Sequence, residues 1–131
     1  MPQRKENFFF TTGWSAPMAA PNAIATSNIL LAADAPFLCY RISAHVKQGD
    51  AGSEVLVTAF AGDVQLNESQ VNRNWFNLSA ALDIFLTPGA PPYDLTPPHL
   101  FAASTTIVIT FTSNVATRTL CQLILHGAKL F

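Results

Sequence analysis

The feature that most constrains the fold is a two-residue alternation of apolar and polar side chains. It is clearest in residues 105–112 (TTIVITFT), where Ile107, Ile109 and Phe111 lie on one face of an extended chain and mostly threonines lie on the other. β-Branched residues at this density favour a pleated sheet, because a helix restricts their side chains. No segment carries a helical stripe of ordinary helix length. The chain is therefore predicted to be all-β.

Further segments extend this pattern to the whole chain. Five apolar residues, expected to share the buried face of one strand, alternate with polar ones: Leu38, Tyr40, Ile42, Ala44 and Val46. Residues 118–126 are apolar on both faces, which predicts a central strand, and the strand at 105–112 is its expected hairpin partner. Residues 87–98 contain five prolines and are expected to form a long connection, since proline cannot donate to a ladder. Seven or eight such strands predict an antiparallel β-sandwich of the Greek-key or jelly-roll kind.

The chain of 131 residues is predicted to comprise one domain with an N-terminal extension. Residues 1–22 have scattered prolines and no periodicity, which is typical of an extended N-terminal arm, and residues 23–131 form the single β-sandwich domain. The arm carries four large aromatic residues, Phe8, Phe9, Phe10 and Trp14. Because such a cluster would aggregate if exposed, it is expected to pack either on its own domain or on a neighbouring protein.

Composition narrows the classes of function. Charged residues are 11% of the chain, against about 25% in an average soluble domain, and the mean hydropathy is +0.28. So few charges favour a large protein interface. The seven basic residues are scattered, so we expect no nucleic-acid partner. No apolar run approaches the roughly 20 residues of a membrane span, and the N-terminus lacks the apolar region of a signal peptide, so synthesis in the cytoplasm is expected.

Residues that carry catalysis or bind metals form no recognisable motif. The three histidines and two cysteines lack the spacing of a zinc site, and no nucleophile elbow or phosphate-binding loop is present. Cys39 and Cys121 are expected to be buried thiols, although strands of two sheets could bring them together as a disulfide. We therefore expect no enzymatic activity, no cofactor and no metal.

A second group of aromatic residues flanks the proline-rich segment. Trp75, Phe76 and Tyr93 are expected to be anchors in a contact with a subunit or partner, because large amphipathic aromatics are common at interfaces. The alternative is a platform on which sugar rings stack at the edge of the sandwich.

The C-terminal third resembles a known class of proteins. Residues 92–98 (PYDLTPP) are followed by a strand with Ile107–Phe111 and, after a turn at Asn114, by the closing segment 123–131 (LILHGAKLF). This pattern over residues 92–131 is similar to the small β-sandwich accessory proteins of tailed-bacteriophage virions, such as capsid cement and decoration proteins. The resemblance implies a structural protein on the capsid surface of the virion, synthesised in the host cytoplasm.

That resemblance also implies partners. The expected partners are the major capsid protein and further copies of the chain, as a homodimer or homotrimer, with neither nucleic acid nor membrane involved. The alternatives are a neck or tail ring component of the virion and a carbohydrate-binding β-sandwich module.

Overall fold

The computed structural model describes residues 4–75, 80–82, 85–86 and 93–131, and in these the regular structure is β. The strands are β1 (Lys5–Thr11), β2 (Ala23–Leu30), β3 (Phe37–Gln48), β4 (Val55–Val57), β5 (Gly62–Glu68), β6 (Arg73–Asn74), β7 (Ala80–Ala81), β8 (Tyr93–Phe101), β9 (Thr106–Ser113) and β10 (Thr119–Leu130). All pairs of these strands run antiparallel. The predicted all-β class is confirmed.

Two sheets pack face to face. The first has the order β1-β10-β3, with β4 and β8 both paired to the far edge of β3. The second has the order β2-β9-β5, with β6 and β7 both paired to β5. Each pair of strands lies, in sequence, inside the preceding pair: β1·β10, β2·β9, β3·β8 and β5·β6. This pattern of pairing is that of a jelly roll. The predicted antiparallel sandwich is therefore confirmed.

The strand pairing corrects two expectations. Strand β10 is central, as predicted, but it lies between β1 and β3, whereas its expected partner β9 belongs to the other sheet. Residues 93–98, expected to lie in a connection, belong to β8, which pairs with β3. Pro97 and Pro98 are tolerated there because they lie within the register shift between the paired residues Asp94 and His99, where the ladder needs no donor. The rest of the predicted connection, residues 87–92, lies outside the described residues.

A bulge changes which side chains of β3 are buried. The register with β10 shifts between His126 and Gly127, opposite Arg41 and Cys39, so Tyr40 is an extra residue. Cys39 is buried before the shift and Ile42 after it. The prediction that Leu38 and Tyr40 share the buried face was therefore wrong, since both are only half-buried. The remaining predicted members of that face, Ile42, Ala44 and Val46, are buried.

The core fills the space between the two sheets. Ile107, Ile109 and Phe111 of β9 are fully buried, as the alternation predicted. The other strands contribute inward-facing residues that include Val64 and Leu66 of β5, Ile42, Ala44 and Val46 of β3, and Leu123 and Leu125 of β10. These apolar side chains supply the main favourable term for folding.

Part of the predicted N-terminal arm is a strand of the sandwich. Lys5–Thr11 pairs with β10 along its whole length, from Lys5↔Leu130 to Thr11↔Ile124. Met18, further along the arm, is buried and bridges to Thr119. This segment was expected to pack either on its own domain or on a neighbouring protein, and the structure shows extensive contact with its own domain.

Candidate functional site

A groove opens where the edges of the two sheets meet. It has a volume of about 560 Å³ and lies between β6 of the second sheet and β8 of the first. Its lining consists of Arg73, Asn74, Trp75, Tyr93, Asp94, Leu95, Thr96, Pro97 and His99. This volume falls in the range of about 300–1,000 Å³ that is usual for sites of small ligands. It contains two of the predicted site residues, Trp75 and Tyr93.

A buried carboxylate lies beneath the groove. Glu68 ends β5 with only 6% of its surface exposed. Its Oε1 accepts a hydrogen bond of 3.0 Å from the indole Nε1 of Trp75. The buried Nε2 of His99 lies at ion-pair distance from the same oxygen, although the two atoms are not aligned as a hydrogen bond. One carboxylate thus contacts a residue that follows β6 and a residue of β8, on opposite sheets.

Ring contacts hold the indole of Trp75 in a single orientation. It stacks on Phe101 with the planes 9° apart and the ring centroids at 5.4 Å. His99 packs with its edge toward both rings, with its centroid at 5.1 Å from Trp75 and at 4.6 Å from Phe101. The Trp75 backbone N–H also donates to the Leu66 carbonyl at 2.9 Å. These contacts make Trp75 a rigid wall of the groove.

The other side of the groove is more exposed and more polar. Tyr93 is 47% exposed and contacts Phe85 edge to face at 5.4 Å between the centroids. Asp94 accepts a hydrogen bond of 2.6 Å from Arg41 Nε, and both side chains of this ion pair are exposed. Asp94 and Tyr93 therefore offer a carboxylate and a phenol beside the fixed indole.

The N-terminal aromatic residues lie elsewhere, on the first sheet. Phe8 and Phe10 are half-buried and pack against the core, whereas Phe9 is 63% exposed and contacts only the edge of the His126 ring among the described aromatic residues. Trp14 is 39% exposed, with the Lys47 ammonium 4.4 Å from its ring centroid.

The structure therefore separates the predicted site residues into two groups. Trp75 and Tyr93 meet in the groove, and Phe8, Phe9, Phe10 and Trp14 lie along the β1 side of the first sheet. Phe76, the remaining predicted site residue, lies outside the described residues.

Sequence reasoning missed the polar residues of the groove. Glu68 could have been found, because residues 62–68 (GDVQLNE) place Val64, Leu66 and Glu68 on one face of a strand. An acidic residue on an apolar face needs a partner, since an unpaired buried charge is costly. Nothing local indicated that His99 or Trp75 would lie next to it, because both follow in later segments.

The cysteines show no sign of a nucleophilic site. Both are buried and free, and burial raises the pKa of each thiol to about 12. Each therefore stays protonated at neutral pH, and only the thiolate is a nucleophile. They behave as small apolar residues of the core, which was the favoured prediction over a disulfide.

One serine–histidine contact lies on the first sheet. Ser43 Oγ and His126 Nε2 are 2.7 Å apart. Burial, together with the charges of Arg41 and His45, lowers the pKa of His126 and favours the neutral ring, whose Nε2 can accept a hydrogen bond from the Ser43 hydroxyl. Ser43 is only 3% exposed, so a substrate has little access to its hydroxyl.

In the described ranges, no three or more histidine, cysteine, aspartate or glutamate side chains come together in a way that could bind a metal ion. The same part of the chain contains no helix of the length and apolarity that crossing a membrane requires.

Comparisons with known proteins gave no match. The chain matches no protein-family model, no curated protein and no solved structure.

Proposed function

We propose that this chain is a structural virion protein that binds the major capsid protein and stabilises the phage head. The observation that supports this is the distribution of exposed apolar side chains over both sheets. On the first sheet they are Phe9 of β1, Val55 and Leu56 of β4, and Leu100 of β8; on the second they are Ile24 and Leu30 of β2. A protein held between several neighbours in a shell needs more than one adhesive surface.

The low content of charge favours the same function. Charged residues are 11% of the chain, and the net charge is −1. Interfaces between proteins are depleted in charged residues at their centres and enriched in aromatic ones. Phe9, the most exposed aromatic residue on the β1 edge, fits such a centre.

The fold is compatible with this function by analogy only. Jelly rolls occur in viral capsid proteins and in lectins, so the architecture supports both the capsid function and the carbohydrate-binding alternative. The wide distribution of exposed apolar residues favours the capsid function, because a lectin needs a single binding face.

The test uses point variants, because a deletion would damage the sheet. β1 pairs with β10 through seven residues, so removal of residues 1–14 would expose a new edge and part of the core. Phe9→Ser and Leu30→Ser each remove an exposed apolar side chain, one on each sheet. Asn28→Ser is the matched control, since Asn28 lies exposed on the same strand as Leu30.

The measurement is co-sedimentation of the purified protein with phage heads assembled without it. Wild type and Asn28→Ser are expected to bind saturably at a fixed ratio to the capsid protein. Phe9→Ser and Leu30→Ser are each expected to bind at least tenfold more weakly, which corresponds to a loss of about 1.4 kcal/mol or more at an interface anchor.

Three results would change the proposal. If Phe9→Ser and Leu30→Ser both bound with wild-type affinity, the assignment of these two surfaces to capsid binding would be contradicted. Binding of only a few copies, confined to one vertex, would favour a ring component of the neck instead. Absence of any binding would contradict the virion function in both forms.

A further inference from the structure

We propose that the groove between β6 and β8 binds a neutral oligosaccharide. This site is independent of the capsid function, because none of the exposed apolar residues on which that function depends lines the groove. A glycan site can thus be present or absent whether or not the chain binds a shell.

The rigid indole of Trp75 offers a preformed surface for a sugar ring. Trp75 is held by its hydrogen bond to Glu68 and by its stacking on Phe101, so it loses little conformational freedom when a ligand binds. Trp75 is half-buried and lines the groove, so part of its ring is available for contact with a ligand. The apolar C–H face of a pyranose is flat and suits such a surface, and Tyr93 adds a second, exposed ring on the β8 side.

Polar groups surround the rings of Trp75 and Tyr93 and could bind the hydroxyls of a sugar. Asp94 supplies a carboxylate, Asn74 an amide and Arg73 a guanidinium to the lining. Vicinal hydroxyls of a sugar both donate and accept, so they suit a mixture of acceptors and donors. Asp94 bonds Arg41 through Oδ1, but a carboxylate has about four acceptor positions and keeps capacity for a ligand.

The charges of the groove lining favour an uncharged ligand. Arg73 and Asp94 have opposite charges, so the lining has no strong excess of either sign that would select a phosphate or an ammonium group. The site therefore favours an uncharged ligand with many hydroxyls. A proline-rich peptide is the competing class, because such segments dock in aromatic-lined grooves.

The chain offers a direct spectroscopic reporter. It contains two tryptophans, Trp14 and Trp75. Trp14 is not in the groove lining, so Trp14→Phe leaves Trp75 as the single indole and makes its fluorescence specific to the site. The probes are cellohexaose, chitohexaose and maltohexaose, each titrated into this variant, with isothermal calorimetry of wild type as the second measurement.

Two variants examine the groove without relying on Trp75, whose loss would disturb the packing. Tyr93→Ser and Asp94→Asn, made in the Trp14→Phe background, alter exposed side chains of the lining. Each is expected to weaken binding by about tenfold, as expected for loss of one stacking or charge-assisted contact. Phe9→Ser is the control, since Phe9 is exposed but lies outside this groove, and it should leave the affinity unchanged.

The outcomes are distinct. A saturable change in Trp75 fluorescence with at least one hexasaccharide, weakened in both groove variants, would establish the site. The proposal is overturned if none of the three probes gives a saturable signal by either method. It is equally overturned if a decaproline peptide binds while the saccharides do not, or if Tyr93→Ser and Asp94→Asn bind a saccharide as well as their parent.

Discussion

At the scale of single residues, Gly127 shows how one position without a side chain permits the β3·β10 pairing. It lies at the register shift opposite Cys39. A Cβ atom built there would collide with the Leu38 carbonyl oxygen and would lie 2.8 Å from Cζ of Phe37. Both neighbours are held, one by the backbone and one by the core, so neither can move away cheaply.

We therefore expect Gly127→Ala to lower the free energy of unfolding by about 2 kcal/mol or more, as overpacking of a buried site does. The control is Gly13→Ala. Gly13 has no atom within 4 Å of the added Cβ but has φ of +69°, so this change should cost only about 1 kcal/mol through backbone strain. Urea denaturation measures both. Equal losses in the two variants would show that the crowding at Gly127 is relieved by a local shift.

At the scale of elements, the turn between β3 and β4 is attached to the start of β10. The Gly49 N–H donates to the Arg118 carbonyl at 3.1 Å, and Arg118 donates to Glu54 Oε1 at 2.7 Å. The Arg118 guanidinium is the main reason that the pKa of Glu54 is lowered from 4.5 to about 2. The charged form of Glu54 is therefore favoured in the folded protein.

The lowered pKa of Glu54 makes the free energy of unfolding depend on pH. Because the folded pKa lies below the unfolded one, the contribution of Glu54 is complete above pH 4.5 and is lost as pH falls toward 2. Glu54→Gln should therefore flatten the fall in the free energy of unfolding across this interval, measured by urea denaturation at several pH values. Arg118→Gln, which removes the partner, should flatten it similarly. An unchanged slope in both variants would contradict the assigned cause.

At the scale of the whole molecule, Glu68 connects the two sheets by polar contacts. It lies on β5 of the second sheet and approaches His99 on β8 of the first, while it also accepts the indole N–H of Trp75. Much of the other described contact between the sheets is made by apolar core side chains and is non-directional. The Glu68 contacts therefore define how the edges at β6 and β8 approach each other, and with that the width of the groove.

Removal of this carboxylate should weaken the whole domain. Glu68→Ala leaves the Trp75 N–H without its acceptor and should cost about 2–3 kcal/mol, measured by thermal or urea unfolding. Glu68→Gln keeps an acceptor oxygen and should cost less. Glu6→Ala, on the exposed side of β1, should stay within about 0.5 kcal/mol of wild type. If Glu68→Ala behaved like Glu6→Ala, the contact between the sheets would carry no stability.

A prediction from neighbouring residues was confirmed, whereas a prediction about the pairing of two strands was wrong. The alternation in residues 105–112 correctly predicted a strand with Ile107 and Phe111 inside, because side-chain direction in a strand depends only on neighbouring residues. The hairpin expected between that strand and β10 was wrong. Adjacent strands in sequence often pair, but in this jelly roll β9 and β10 lie in different sheets.

The sequence by itself determined the strands β3, β9 and β10, most of their buried faces and the low content of charge, since these depend on the residue type and on a local period of two. Tertiary structure decided the strand order, the bulge at Tyr40 and the meeting of Glu68, Trp75 and His99. Those features arise when distant segments close onto one another. The register shift of one residue and the identity of the partners of the buried Glu68 depend on distant segments, and neither can be read from the local pattern.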